Sequence, residues 1–158
     1  MSLTQFARAS SSPLRVSGSG PVVMVDDNPI DAEVLGFFFE RSRLVRELIH
    51  VDSGRALLAL LDARSGLGLE PPALVLMDIN MPGMTGHEAL AAVREDPAYQ
   101  ALPVILMLTS SKRRDDVEQA RQLGADGYVT KPMNGADYQA FFNGLVPAQY
   151  YLGRRKAS

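Results

Sequence analysis

The chain contains no cysteine. That excludes a disulfide framework and any thiolate metal site, and it fits a reducing, cytoplasmic setting. Histidine is scarce, with only His50 and His87, which argues against a zinc or copper centre. No apolar run approaches the length of a membrane span, so no membrane crossing is expected. The net charge is only −2, so no broad field favours nucleic acid or an anionic membrane. Residues 1–20, MSLTQFARASSSPLRVSGSG, lack the continuous apolar block of a secretory signal. They read as a flexible N-terminal tail, with a weak amphipathic targeting segment as the alternative.

What remains is an ordinary globular composition, 46% hydrophobic and 22% charged over 158 residues, enough for one domain with a proper core. Strand-like and helix-like stretches alternate along it. PVVMV (Pro21–Val25) is a short β-branched run, followed by a helix that Asn28 caps and Pro29 opens. In that helix Ile30, Val34 and Phe38 recur at intervals of four and should share a face. ELIHV (Glu47–Val51), ALVLM (Ala73–Met77), PVILML (Pro103–Leu108) and GYVT (Gly127–Thr130) supply four more strands. Between them lie a helix over Ser53–Arg64 and one carrying Ala89, Leu90 and Val93. Ser111–Gly124 is a charged helix that Gly124 ends, and a last helix starts at Asn134. Five strands in strict alternation with five helices argue for a parallel sheet covered on both faces.

The strand ends carry the chemistry. The first strand runs into Asp26 and Asp27, the third into Asp78, the fourth into Thr109 and the fifth into Lys131. All are carboxyl ends, so a parallel sheet gathers them along one edge, where open α/β sheets place their ligands. Each close pair of carboxylates costs about 4 kcal/mol at about 4 Å with an effective dielectric near 20. One lysine cannot offset three acids. An all-oxygen cluster with an open side suits Mg²⁺ together with a phosphate. Asp78 stands alone at its strand end and reads as a nucleophile for phosphoryl transfer, with Asp26 and Asp27 as a metal pair. Taken singly, Asp26 and Asp27 would read as helix N-terminal acids and Thr109 as a cap. Their joint placement favours the site. His50 reads as a strand residue without chemistry and His87 as a solvated helix residue.

VDDN, LMDINMPGMTGHEAL, LTSS and GADGYVTKP, in this order and at these strand ends, resemble the receiver domain of two-component response regulators over residues 21–146. The resemblance implies a flavodoxin-like, doubly wound five-stranded parallel sheet of order 2-1-3-4-5. It implies that a sensor histidine kinase passes the phosphoryl group of a phosphohistidine to Asp78. Asp27 and Asp78 would contact Mg²⁺ directly, Asp26 through water and Asn80 through its backbone carbonyl. Thr109 and Lys131 would hold the phosphoryl group, Thr109 and Tyr128 would form the switch, and the Lys131–Pro132 bond would be cis. The protein would then be no enzyme but a phosphoacceptor that assists its own phosphorylation and dephosphorylation.

Two longer segments, Ser65–Pro72 and Glu95–Ile105, resemble the stand-alone receivers that partner phytochrome-like kinases. Residues 147–158 are too few for an output domain, so the message is expected to pass by contact with a downstream protein target. Phe37, Phe38 and Phe39 span too wide an arc to face one core, and with Tyr150, Tyr151 and Leu152 they hint at a homodimer or partner surface. A haloacid-dehalogenase-type phosphatase would want a second aspartate where Asn80 stands. A nucleotide-binding enzyme would need a glycine-rich turn where DDNP stands. The complete set of acids, threonine and lysine argues against a degenerate receiver.

Overall fold

The computed structural model describes residues 4–5, 19–108, 114–131 and 134–145. In chain order the strands are β1 (Thr4–Gln5), β2 (Val22–Val25), β3 (Leu48–Val51), β4 (Leu74–Asp78), β5 (Val104–Leu108) and β6 (Gly127–Thr130). The helices are α1 (Pro29–Glu40), α2 (Gly54–Gly66), α3 (Gly86–Glu95), α4 (Arg114–Gln122) and α5 (Gly135–Gly144), with a single 3₁₀ turn at Pro97–Tyr99. β2 to β6 are mutually parallel and lie in the order β3-β2-β4-β5-β6. Counting the parallel strands alone, this is the expected 2-1-3-4-5.

Alternation along the strands splits the core in two. Val22, Met24, Leu74, Leu76, Ile105, Met107 and Val129 face α1 and α5. Val23, Val25, Val75, Met77, Val104 and Leu106 face α2, α3 and α4. Because both faces are covered, the strands read as continuous apolar runs rather than alternating ones.

Capping residues start the helices where the sequence places them. Asn28 accepts from the Ile30 N–H at 2.9 Å, Ser53 from Ala56 at 3.1 Å and Asn134 from Asp137 at 3.0 Å. Thr85 and Glu88 form a reciprocal capping box at the head of α3. Gly124 takes φ +93°, a left-handed conformation that ends the α4 segment, and the Ala125 N–H returns to the Ala120 carbonyl at 3.0 Å.

Three expectations change. The segment expected to be a tail contributes β1, which pairs antiparallel with β6 (Thr4 with Tyr128, Gln5 with Gly127) and makes a sixth strand. Two residues give no periodicity to read, and what they satisfy is the open edge of β6.

Ile30, Val34 and Phe38 share a face, but of the three only Phe38 packs against the core. Ile30 is 70% and Val34 40% exposed, while Leu35 and Phe39 are buried. Packing against α5 decides this, through Phe39 edge-on to Phe142 and Phe38 stacked on Tyr138. With apolar residues on most sides of α1, spacing alone could not choose.

His87 is buried rather than solvated, and its Nε2 donates to the Asp116 carbonyl of α4 at 3.0 Å. It stands three residues before Leu90, on the covered face of α3. The Lys131–Pro132 bond lies outside the described residues. Among the described residues no helix is long and apolar enough to cross a membrane.

Candidate functional site

β2 delivers Asp26 to the carboxyl edge, buried, and the chain then turns so that Asp27 is exposed. Asp26 Oδ1 accepts from the Asn28 N–H at 2.9 Å, which fixes the carboxylate as the chain enters α1. In the neighbouring strand β4 ends on Asp78, also buried, whose Oδ1 accepts from the Asn80 N–H at 3.2 Å. The loop that follows closes tightly over it. Gly83 has φ +77°, and a Cβ at Gly86 would stand 2.4 Å from the Asp78 carbonyl oxygen. Glycine is required at both positions, by conformation at the first and by close approach at the second.

Lys131 follows β6 and reaches across to this pair. Its Nζ lies 2.8 Å from Asp26 Oδ2, 3.0 Å from Asp31 Oδ2 and 3.4 Å from Asp78 Oδ2. Asp26, Asp27 and Asp78 each offer a carboxylate oxygen, all within 4.8 Å of one another. The structure thus brings together Asp26, Asp27, Asp78, Asn80 and Lys131. Thr109 lies outside the described residues. Tyr128 is half-buried on β6 and packs against the core under α4.

The electrostatics follow from this crowding. Burial, with the Asp26 charge adding to it, raises the Asp78 carboxyl from 3.8 to about 6 against the pull of Lys131 and the Asn80 N–H. Burial also works against the Lys131 ammonium, yet the bonds from Asp26 and Asp31 and the nearby charges outweigh it and hold its pKa above the ordinary lysine value. The lysine therefore stays charged, and among the described residues it is the cation that meets the nucleophile candidate. A hard, oxygen-seeking cation fits this donor set.

Two neighbours were missed in the sequence. Asp31 is an acid in the first turn of α1, a position common enough in sequence to carry no signal of its bond to Lys131. His50 donates its Nε2 to the Asp26 carbonyl at 2.8 Å, bracing the end of β2. A histidine within a strand carries no signal of that kind.

The arrangement of paired acids, lone acid and lysine around one parallel edge is matched at the level of the whole chain. A profile of the response regulator receiver domain matches residues 22–142. The chain belongs to the response regulator receiver family. Response regulator Rcp1 of Synechocystis sp. is 30% identical to this receiver over 125 residues, 78% of this chain and 84% of Rcp1. The crystal structure of the Mn²⁺-bound form of Rcp1 superposes with a TM-score of 0.67 at 26% identity, covering 88% of this chain and 99% of that one. That of the phosphorylated cyanobacterial phytochrome response regulator RcpA gives 0.69 at 25% identity, covering 88% and 98%. Among receivers, this one is therefore similar to phytochrome response regulators.

Proposed function

We propose that this receiver takes a phosphoryl group onto Asp78 from the phosphohistidine of a sensor kinase, with Mg²⁺ as the assisting cation. The observation that carries the reading is the convergence of the Asp26, Asp27 and Asp78 carboxylates with the Lys131 ammonium at one sheet edge. A Mn²⁺-bound and a phosphorylated relative of the same fold support it.

An Asp78 carboxylate oxygen attacks phosphorus, the P–N bond to the donor imidazole breaks, and the leaving nitrogen keeps the electron pair and is protonated. Asp27, Asp78 and the Asn80 carbonyl would hold Mg²⁺, with Asp26 acting through water. When bound there, the ion would supply neutralising charge to the transferring oxygens. Lys131 supplies a fixed ammonium to the same oxygens, and Thr109 a hydroxyl donor. Tyr128 lies on β6 three residues before Lys131 and turns with Thr109, so the α4 and β6 surface reports the modification. The similarity to phytochrome response regulators makes a phytochrome-type kinase the favoured donor. The exposed Ile30, Val34 and Phe37 on α1 offer apolar surface for a protein target or a second copy.

Intact-mass measurement after incubation with Mg²⁺ and a small phosphodonor tests the reading. One added phosphoryl group is expected on the native chain and none on Asp78→Asn. Donor turnover without an adduct, or an adduct retained by the variant, would sink it.

A further inference from the structure

One charged group at the rim has no part in that scheme. Asp31 is the third residue of α1, and its backbone N–H is held by Asn28 Oδ1 at 3.3 Å, which sets the first turn. Its carboxylate reaches Lys131 Nζ at 3.0 Å, closer than Asp78 at 3.4 Å. An ammonium has three N–H donors, and Asp26, Asp31 and Asp78 together account for all of them. A phosphoryl group on Asp78 brings more acceptor oxygens of higher charge to the same lysine. Some partner must then yield.

Asp26 is buried and tied to the Asn28 N–H, so freeing it leaves a charge without water. Asp31 is 40% exposed at its side chain, and water can solvate it once it is released. It is the partner that costs least to displace.

We propose that Asp31 is a positioning residue that competes with the phosphoryl group for Lys131, holding the lysine toward α1 in the unmodified protein and so setting how readily Asp78 is modified. This rests on the reading of Asp78 as phosphoacceptor. An acid in the first turn of a helix also gains from the helix dipole, but a role confined to that leaves the lysine where it is.

The test is a double-mutant cycle on the full chain, with beryllofluoride and Mg²⁺ standing in for the phosphoryl group and binding followed by fluorine NMR. Asp31→Asn is expected to bind about twofold to fivefold more tightly than the native chain, the range for a partly exposed ion pair. The gain should vanish in the Lys131→Ala background, with Lys131→Gln serving if the alanine variant does not fold. Unchanged or weaker binding by Asp31→Asn overturns the proposal, even if its melting temperature falls. Equal tightening with and without Lys131 also overturns it, because the effect is then one of bulk charge. Failure of the native chain to bind the mimic or to take up phosphoryl would instead bring down the phosphoacceptor reading, and the proposal with it.

Discussion

Ion pairs stand at both ends of the parallel sheet, and they are built differently. At the amino edge Arg94 meets Asp126 at 3.4 Å, with side chains 14% and 16% exposed. Asp126 also accepts from the Val104 N–H at 2.8 Å, and Arg94 donates to the carbonyls of Tyr99 at 2.7 Å and Gly124 at 3.0 Å. Among the described residues one cation faces one anion, and backbone groups take up further bonds. At the carboxyl edge one ammonium faces Asp26, Asp31 and Asp78, with Asp27 close by. Distances at the two edges overlap, so separation does not distinguish them. Charge balance does. The first edge is a closed structural clamp joining α3, the turn after it and the start of β5. Among the described residues the second carries excess negative charge and a carboxyl whose pKa is pushed up to about 6, the mark of a candidate functional site.

The sharpest way to break the comparison is to open the clamp. Asp126→Ala takes the carboxylate from a largely buried guanidinium and removes the acceptor of the Val104 N–H, so it should cost about 3 kcal/mol in urea unfolding. Phosphoryl uptake per folded molecule should stay within about twofold of the native chain. Asp78→Asn should do the reverse, removing all uptake while leaving the fold intact. A loss below about 1 kcal/mol for Asp126→Ala would mean that the balanced pair is no clamp, and the contrast between the edges would lose its meaning.

The two edges also differed in how legible they were. Asp26, Asp27, Asp78 and Lys131 each end a strand that is apolar on both faces, so a parallel sheet forces them to one rim. The pattern of five runs is enough to say so. Helix starts were equally readable, since Asn28, Ser53 and Asn134 cap where short polar side chains should.

The clamp gave no sign. Arg94 and Asp126 are separated along the chain by β5 and α4, and each looks like a solvated charge until α3 and β6 are docked. Asp31 and His50 failed for a related reason, because their roles depend on where a helix turn or an edge strand aims a side chain. His87 was read as solvated but is buried, and spacing on α1 could not say which side packs. Where most positions are apolar, or one is amphipathic, tertiary packing rather than periodicity selects the buried side.

A smaller effect sharpens the contrast through pH. The Asp78 carboxyl titrates near 6 in the folded chain against an ordinary 3.8. Below about pH 4 both states hold the proton. Between the two values only the folded state does. The stability from this group is therefore full at low pH and is lost as pH rises through 6. Asp78→Asn cannot titrate there, so without Mg²⁺ it should become more stable than the native chain as pH is raised. The difference should grow from near zero at about pH 4 to about 2–3 kcal/mol at pH 7, the order that such a shift implies. Paired urea melts across this range, read as a difference so that other carboxylates cancel, would measure it. Saturating Mg²⁺ should shrink the gap by favouring the ionised native site. A difference that is flat with pH would show that burial at this rim is already compensated by Lys131, and the carboxyl edge would then be as closed as the amino one.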